Sequence, residues 1–390
     1  MRFLHTSDWH VGKTIGGRSR TEEHRAVLAE ILDIARRERI DCLLVTGDVF
    51  ESAAPGAEAE KTVYDFFREL GRAAIPAVVI AGNHDHERKL AAVSSLLEIV
   101  DVHVRHDFQR PQPGAGIFQF ESRRGEQAAI GTLPFIPEHK MLQAADLMEE
   151  EAVAFQKYAG GMGKILGAFG DALAGHPIRI LMAHLHVDKS QLGGGERELH
   201  IGQTYAVPAP SLPGGLHYIA LGHIHRPQEI SAPSPARFAG SPLALDFGET
   251  RQVKSVVLVE VKGPDQPAKI ETIALTAGRG LRDVHGTLAE LEALALGCGD
   301  DYLRVFLRVE RPLPGLADEV RKRLPNAIQV RLETDALPAA DRARDRLTPG
   351  LDRIELFTRY HRTKYKGEPE PELLALLREL LSEATAEEEA

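Results

Sequence analysis

The sequence is poor in cysteine and has no long apolar run. Its two cysteines, Cys42 and Cys298, cannot build a disulfide framework or a four-thiolate zinc site, and Cys42 lies in an apolar run as a small core residue. No apolar stretch reaches the roughly 20 residues that a membrane-spanning helix needs. The first residues enter a strand pattern directly, without the charged, apolar and cleavage regions of a secretory signal. These absences lead us to expect a cytoplasmic protein with no membrane attachment.

The chain also lacks an excess of positive charge. Its net charge is −10 and its pI is near 6.0, which disfavours a protein that grips nucleic acid over its whole surface. A local positive track, or metal ions that reverse the sign of a site, remains compatible with this charge. Hydrophobic residues make up 43% and charged residues 27% of the chain. This composition is usual for globular proteins and excludes a disordered or fibrous chain.

Apolar runs of strand length alternate with amphipathic helical patterns through the first half of the chain. Residues 21–38 carry apolar side chains at helical spacing, whereas Cys42–Val45 and Ala77–Ile80 are uninterrupted apolar runs. Uninterrupted strands between helices are typical of a largely parallel sheet covered on both faces. The pattern therefore predicts an α/β fold.

At roughly 150 residues per domain, a length of 390 residues predicts two or three domains. We expect a first domain over 1–276 and a small α+β domain over 277–337. In the small domain, Leu303–Val309, Leu316–Leu324 and Ile328–Leu332 form a β-α-β pattern. Residues 338–390 are predicted to be mainly helical.

Polar clusters rich in histidine and carboxylate follow five of the apolar runs. In open α/β sheets, ligands bind beyond the carboxyl ends of the strands, so these clusters are expected at one rim. A lone histidine at a strand end is more often a surface or capping residue, but five clusters in the same position indicate a metal site. The clusters are Asp8-x-His10, Gly47-Asp48, Gly82-Asn83-His84-Asp85, His184 and Gly222-His223-Ile224-His225.

This set of side chains suits the hydrolysis of phosphate esters. A general acid or base contributes roughly 10²–10⁴ to the rate, so charge stabilisation must supply much of the remainder. Two divalent ions about 3.5–4 Å apart can do so by lowering the pKa of a shared water and neutralising phosphate oxygens. Asp48 is the natural bridging carboxylate, and Asn83 adds a neutral oxygen. The many histidines favour manganese, iron or zinc over magnesium.

Four segments together resemble the calcineurin-like metallophosphoesterase superfamily, and within it the nucleases of double-strand-break repair. They are His5–Lys13, Thr46–Phe50, Ile80–Asp85 and Tyr218–Arg226, and the stretch Gly240–Glu249 also fits. The likeness is specific through about residue 250 and looser beyond. It implies a metallophosphoesterase β-sandwich flanked by helices, with a small α+β capping domain that binds DNA and C-terminal helices that bind a partner.

The resemblance also implies two metal sites that share Asp48. One is made by Asp8, His10, Asp48 and His225, and the other by Asp48, Asn83, His184 and His223. The implied ions are Mn²⁺, with Mg²⁺ as an alternative.

Two catalytic residues are implied as well. His84 faces the substrate and donates a proton to the leaving oxygen. Asp85 orients the His84 imidazole or caps the following helix. His186 competes with His184 for ligation, and we favour His184 because it comes directly after its strand. Archaeal and eukaryotic relatives have a histidine where this chain has Glu51, a carboxylate that repels DNA unless it binds a cation or turns away.

DNA and protein partners are the remaining expectations. Lys13, Arg18, Arg20 and Arg226 flank the metal loops and are predicted to contact DNA phosphate, or else form a solvated face. Two helices are expected to build a homodimer, or else to belong to the core. Their apolar residues are Val63, Phe66, Phe67, Leu70, Leu90, Val93, Leu96 and Leu97.

The resemblance implies an ATPase partner with coiled-coil arms, which would make a heterotetramer with the dimer. Leucine-rich C-terminal helices are its predicted docking segments. Their apolar residues are Leu351, Ile354, Leu356, Phe357, Leu373, Leu374, Leu377 and Leu380.

We therefore expect a dinuclear-metal-dependent DNA nuclease that acts in repair, recombination and replication. The expected activities are 3′–5′ exonuclease on double-stranded ends and endonuclease on single strands and hairpins. The alternatives are a metallophosphoesterase acting on small phosphodiesters or proteins, and a catalytically silent scaffold. The presence of all seven presumed ligands and His84 favours an active enzyme.

Overall fold

The computed structural model describes residues 1–137, 140, 158–194, 196, 206–311 and 313–333, together with scattered positions between 354 and 377. It divides into two compact units, Met1–Glu333 and Thr334–Ala390. The predicted boundary at residue 276 lies inside the first unit and stays a prediction. No helix among the described residues is long and apolar enough to cross a membrane.

The first unit contains strands and helices in alternation. The helices are α1 (Thr21–Arg37), α2 (Ala57–Arg72), α3 (Glu87–Glu98), α4 (Tyr158–Leu173), α5 (Leu291–Ala295) and α6 (Leu316–Arg323). The strands are β1 (Arg2–Thr6), β2 (Thr14–Ile15), β3 (Arg18–Ser19), β4 (Cys42–Thr46), β5 (Ala77–Ile80), β6 (Val102–Arg105), β7 (Ile117–Glu121), β8 (Gln127–Leu133), β9 (Ile178–His184), β10 (Tyr218–Gly222), β11 (Gln228–Ile230), β12 (Ala236–Phe238), β13 (Ser255–Glu260), β14 (Lys269–Ala274), β15 (Leu281–Gly286), β16 (Tyr302–Arg308) and β17 (Ala327–Glu333).

Two six-stranded sheets form a sandwich. Their strand orders are β14-β13-β1-β4-β5-β6 and β11-β12-β10-β9-β8-β7. The strands β1, β4, β5 and β6 run parallel in the first sheet, as do β12, β10, β9 and β8 in the second. Apolar side chains of both sheets, such as Leu44, Ile80, Ile180 and Val257, fill the space between them. The predicted α/β sandwich is confirmed.

Helices cover the outer faces of the sandwich. The buried stripe of α1, which includes Leu28, Ile31 and Ala35, packs with α2 and α3 against the first sheet. The first turn of α1 is acidic and its last turn is basic, which suits the helix dipole. Phe169 and other residues of α4 cover the second sheet. Both faces of the central strands are therefore buried, which explains why these strands read as uninterrupted apolar runs.

The helices predicted to form a dimer contribute instead to the chain's own core. Val63, Phe66, Phe67, Leu70, Leu90 and Leu97 are buried. Trp9 packs against Phe66 and Phe67, with ring centroids 5.2 and 5.8 Å apart. Six of the eight residues predicted for the intersubunit bundle thus pack within one chain, as the core alternative has it, and the homodimer itself stays a prediction. At the C-terminal end of α3, the side chains of Leu96 and Ile99 are exposed, by 63% and 79%.

The end of the first unit is a three-stranded parallel sheet, β15-β16-β17, with its own apolar core beneath α5 and α6. β16, α6 and β17 match the predicted β-α-β pattern. In the second unit, Ile354, Phe357, Leu373, Leu374 and Leu377 are helical. The other predicted docking residues, Leu351, Leu356 and Leu380, lie outside the described residues.

A buried histidine joins the two sheets below the rim. His5 on β1 is hydrogen-bonded through Nδ1 to the hydroxyl of Tyr218, 3.0 Å away on β10, and through Nε2 to the hydroxyl of Thr46, 2.9 Å away on β4. Burial lowers the pKa of His5 to about 3. The imidazole is therefore neutral in the folded protein at any ordinary pH.

This histidine predicts a loss of stability in mild acid. Its folded pKa lies below the ordinary value of 6.5, so the unfolded chain takes up a proton first. Its contribution is complete above pH 6.5 and falls as the pH drops toward 3. We expect urea denaturation to show wild type losing about 1 kcal/mol more than His5→Gln between pH 7 and 5.5.

A matched control is His103→Gln, because His103 lies on β6 with its side chain partly exposed. Its loss of stability over this pH range should match that of wild type. Equal losses in wild type and His5→Gln would contradict the assignment.

Candidate metal centre

The loops that follow β1, β4, β5, β9 and β10 converge at one rim of the sandwich. They bring carboxylate and imidazole atoms within 4.8 Å of one another in three overlapping groups of buried residues. The groups are Asp8, His10 and His225; His10, Asp48 and His84; and Asp48, His184 and His223. All of the predicted Asp and His ligands therefore meet, although they come from segments more than two hundred residues apart along the chain.

The backbone is strained where these side chains are presented. Asp8, His10, Asp48 and His223 have φ angles of 51°, 49°, 50° and 101°. Half of the non-glycine residues with positive φ among the described residues thus lie in this cluster. Such conformations cost on the order of 1–3 kcal/mol each and persist where the surroundings enforce them. Here the N–H of Asp8 donates to the carbonyl of Gly47 and that of His10 to the carbonyl of Asp48, at 3.0 and 2.9 Å.

Glycine provides the close approach between loops at two points. A Cβ on Gly82 would clash with the Asp48 carboxylate, and one on Gly222 would clash with the Thr46 carbonyl. Both clashes are with groups that the packing fixes in place. The glycines beside the ligands are therefore required by space rather than by flexibility alone.

Asp48 occupies the middle of the cluster. Its Oδ2 lies 3.5 Å from both His10 Nε2 and His184 Nε2, and its Oδ1 accepts the backbone N–H of His84 at 2.8 Å. Burial opposes ionisation, but the neighbouring His184, His84 and His10 hold the pKa of Asp48 below its ordinary value. The carboxylate is therefore ionised and faces both sides of the cluster.

Asp8 and Asn83 both contact His223, whose backbone meets Asp8 and whose side chain meets Asn83. Both oxygens of Asp8 accept the backbone N–H of His223, at 3.0 and 3.2 Å. Burial raises the pKa of Asp8, and the Asp48 charge adds to this effect. The Asn83 Oδ1 lies 3.0 Å from His184 Nε2 and 2.8 Å from His223 Nδ1.

These residues fit a pair of divalent cations. His10 Nε2 is buried and has no hydrogen-bond partner among the described residues, although Asp48 lies beside it. A cation at this point would satisfy the nitrogen and offset the buried carboxylates. Imidazoles mixed with carboxylate and amide oxygens suit manganese, iron or zinc. His186, the rival of His184, lies outside the three groups of ligand atoms.

Glu51 lies behind His10. Its Oε2 accepts the Nδ1–H of His10 at 2.9 Å, and its Oε1 lies 2.7 Å from Lys13 Nζ. Burial opposes ionisation, but His10 and Lys13 together lower the pKa of Glu51 to about 2. The carboxylate binds two cationic or donor groups, so the repulsion of DNA that its charge suggested is offset by Lys13. Because Lys13 is paired with Glu51, it is less available to contact DNA phosphate than the sequence alone predicted.

A second carboxylate lies behind His225, and sequence reasoning did not assign it a role. Glu249 Oε1 accepts the Nδ1–H of His225 at 3.2 Å, and its Oε2 lies 2.6 Å from Lys254 Nζ. Burial opposes ionisation, but Lys254 and His225 lower the pKa of Glu249 to about 2. Burial lowers the pKa of His225, and Glu249 more than reverses this effect. The only sequence signal was the family-like stretch that ends at Glu249.

Glu196 is a further acidic residue that sequence reasoning missed. Its Oε1 accepts the backbone N–H of His225 at 3.1 Å and that of Gly193 at 2.6 Å, and its Oε2 accepts that of Gly194 at 2.7 Å. Burial opposes ionisation, but His225 and these backbone donors lower the pKa of Glu196. The glycine-rich stretch gave no signal for this contact, because nothing local points to His225.

His84 contacts the cluster through its backbone and its ring. Its Nδ1–H donates to the carbonyl of Glu51 at 2.7 Å, and its ring lies edge-on to His10 with centroids 4.5 Å apart. The carbonyl fixes the orientation of the imidazole beside the carboxylate cluster. This is the position in which a proton donor to a reacting phosphate ester is useful.

The role predicted for Asp85 is wrong. Its carboxylate accepts the backbone N–H groups of Val49, Phe50 and Gly82, at 3.2, 3.0 and 2.9 Å. The Glu51 carbonyl, not Asp85, holds the imidazole of His84, and α3 begins beyond Asp85 with His86 at its N-cap. Burial and the nearby Asp48 raise the pKa of Asp85 to about 6. Asp85 therefore fixes the loops after β4 and β5 to each other.

The arginines predicted to contact DNA have different surroundings. Arg20 is 1% exposed, and its guanidinium donates to Glu23 and to the carbonyls of Ala244 and Arg279. The prediction for Arg20 is wrong, because the group is buried and already paired. Arg18 is exposed and donates to the Pro325 carbonyl, 2.5 Å away. Arg226 is also exposed, just after His225.

The architecture and the cluster agree with comparisons to known proteins. Residues 1–227 match the family described as Calcineurin-like phosphoesterase. This match spans more than half of the chain, and the chain belongs to that family. It is a metal-binding phosphodiester hydrolase.

Within the family, the chain is similar to SbcD proteins, which are named as components of the nuclease SbcCD. It is 35% identical over 283 residues to the protein of Bacillus subtilis, covering 72% of this chain and 71% of that one. The Rhodobacter capsulatus protein is 31% identical over 376 residues, covering 90% and 91%. The protein of Escherichia coli K12 is 29% identical over 310 residues, covering 75% and 73%. The family resemblance predicted from the motifs is confirmed.

Proposed function

We propose that this chain is a DNA nuclease that depends on two divalent metal ions. The observation that carries the proposal is the position of Asp48, whose Oδ2 is equally close to His10 and His184 on opposite sides of the cluster. One carboxylate can therefore serve two cations. The similarity to SbcD proteins of the SbcCD nuclease supports DNA as the substrate.

The proposed sites share Asp48. The first uses Asp8, His10 and His225 with Asp48, and the second uses Asn83, His184 and His223 with Asp48. We propose Mn²⁺ as the metal, since imidazole-rich sites disfavour Mg²⁺. When bound, such a pair activates water and neutralises charge on the phosphate oxygens.

The chain's own contribution is positioning and proton transfer. His84 is proposed as the donor to the leaving oxygen, with its ring oriented by the Glu51 carbonyl. Asp85 keeps the loops of Asp48 and Asn83 in register through three backbone hydrogen bonds. These contacts of His84 and Asp85 are made with backbone groups and not with side chains at the surface.

The proposed activities are 3′–5′ exonuclease on double-stranded ends and endonuclease on single strands and hairpins, in DNA repair and recombination. The relatives are named as components of SbcCD, which supports an SbcC-type ATPase with coiled-coil arms as the partner. The sequence has no phosphate loop of its own, so ATP hydrolysis must come from outside this chain. The C-terminal segment 338–390 is proposed to bind the partner. Because chromosomal DNA is the proposed substrate, we propose a cytoplasmic location.

A nuclease assay with His84→Ala tests the proposal. Wild type with Mn²⁺ should degrade a blunt linear duplex, and more so with the ATPase partner. The variant should lose about 10²–10⁴-fold in rate, because it lacks the proton donor. Calorimetry should show unchanged Mn²⁺ binding, since the backbone N–H that contacts Asp48 remains.

The control is His103→Ala, at a partly exposed position on β6, which should cleave like wild type. Rapid hydrolysis of bis-nitrophenyl phosphate with an intact duplex would favour the small-phosphodiester alternative. Mn²⁺ binding with no cleavage of either substrate would favour the scaffold. Loss of metal binding in His84→Ala would contradict the role given to this residue.

DNA binding should depend on Arg18 and Arg226. We expect the double variant Arg18→Ala with Arg226→Ala to bind duplex more weakly. The slope of log affinity against log salt should fall by about 1.8, as two phosphate contacts are lost. Fluorescence anisotropy at several salt concentrations measures both quantities. Arg37→Ala, in the last turn of α1 at the far end of the sandwich, should keep the wild-type slope. An unchanged slope in the double variant would exclude these contacts.

We also propose a homodimer through the exposed edge of α3, which would give a heterotetramer with the partner. Leu96 and Ile99 are the exposed apolar residues there. Sedimentation equilibrium should give twice the chain mass of 42.8 kDa, and Leu96→Glu with Ile99→Glu should give the monomer. Leu296→Glu, a control at an 87% exposed leucine beyond α5, should stay dimeric. A monomeric wild type would refute the dimer.

A further inference from the structure

The imidazoles of the two proposed sites differ in what lies behind them. In the site of Asp8, two histidines donate to carboxylates, and each carboxylate binds a lysine. The two chains of contacts are His10–Glu51–Lys13 and His225–Glu249–Lys254. They reach the same site from segments far apart in sequence.

The contacts from His225 through Glu249 to Lys254 are enclosed in the protein interior. Glu249 is 0% exposed, and Lys254 Nζ contacts it at 2.6 Å. Lys254 also donates to the His225 carbonyl at 3.0 Å and to the Ser241 hydroxyl at 2.9 Å. A buried ion pair of this kind adds little to stability, because desolvation offsets its attraction. Its position against the imidazole of a proposed ligand therefore points to a role in the metal site.

The contacts from His10 through Glu51 to Lys13 follow the same order of histidine, carboxylate and lysine, and they lie closer to solvent. Glu51 joins His10 at 2.9 Å and Lys13 at 2.7 Å, and both of its partners are less than a quarter exposed. The two carboxylates use one oxygen for the imidazole and the other for the lysine. Each lysine thus balances the carboxylate's charge and fixes the oxygen that faces the histidine.

In the site of Asn83, the imidazole of His184 is backed by a neutral group. The Nδ1–H of His184 donates to the Thr46 carbonyl at 2.8 Å. The proposed ligands of this site include the shared Asp48 as their single carboxylate, whereas the other site adds Asp8. The additional Asp8 ligand therefore places more negative charge in that other site, and so do the carboxylates behind His10 and His225 when compared with the carbonyl behind His184.

We propose that Glu51 and Glu249 are positioning residues that make the site of Asp8, His10 and His225 the tighter of the two. A carboxylate that accepts the far N–H of a metal-binding imidazole fixes its tautomer and increases its donor strength, and such partners contribute about 10- to 100-fold to metal affinity. The site of Asp8 fills first, and activity follows occupancy of the weaker site of Asn83. This inference rests on the two-metal function proposed above.

Calorimetric titration of the metal-free full chain with MnCl₂ tests the inference. Wild type should show two classes of site with one ion each. Glu51→Gln and Glu249→Gln should each weaken the tighter class by about 10- to 100-fold and leave the weaker class unchanged. Asn83→Ala is the matched comparison, and it should weaken the other class.

A double variant separates positioning from stability. Glu249→Gln leaves Lys254 unpaired in the interior, so it is compared with Glu249→Gln combined with Lys254→Met, which removes both charges. Melting temperatures of the metal-free proteins report folding. We expect the double variant to regain stability while the tighter class stays weak. Affinity that recovers together with stability would show a structural role and overturn the proposal.

Glu51→Gln gives an independent result, because Glu51 and Lys13 are partly exposed and the variant does not bury an unpaired charge. Two Mn²⁺ classes that respond equally to Glu51→Gln, Glu249→Gln and Asn83→Ala would overturn the inference but leave the two-metal nuclease intact. Failure of wild type to bind two ions would instead overturn the proposed function.

Discussion

The centre of this protein depends on keeping the Asp48 carboxylate ionised inside the fold. A buried charge loses its hydration and is tolerated only where donors or opposite charge replace water. Here those groups come from distant parts of the chain: the N–H of His84 and the imidazoles of His10 and His184. Because they stand at strand ends in both sheets, Asp48 is stabilised only once the sandwich has closed. The closed sandwich and the ionised Asp48 carboxylate therefore depend on the same set of contacts.

Sequence predicted the parts of the site that have a local signal. An apolar run that ends in Asp, Asn or His marks a strand and the residue beyond it, and this was enough to find Asp48 and His184 at the rim. It could not find the groups behind the ligands. Glu249 meets His225, and Lys254 meets Glu249, through loops whose approach only the folded chain determines. The left-handed backbone of the ligands had no local signal either.

The errors have the same physical origin. An arginine in a glycine-rich loop usually faces solvent, but Arg20 is enclosed by carbonyls of Ala244 and Arg279, more than two hundred residues away. The apolar residues of α2 and α3 have the same helical spacing whether they pack against a second copy of the chain or against the chain's own core. Trp9 packs against Phe66 and Phe67, which places much of the α2 stripe in the core of one chain. Adjacency in sequence pairs Asp85 with His84, whereas its carboxylate accepts N–H groups from the preceding loops.

The β2–β3 hairpin, which carries Arg18, directly follows the loop of Asp8 and His10 and touches the three-stranded sheet. The Arg18 guanidinium donates to the Pro325 carbonyl and lies 5.9 Å from the ring centroid of Tyr302, and Gly16 allows the hairpin to approach Ile328 closely. The hairpin is thus a short mechanical link between the two. If the β15-β16-β17 sheet tilts against the sandwich, it must either break these contacts or displace the turn that presents the Asp8 carboxylate.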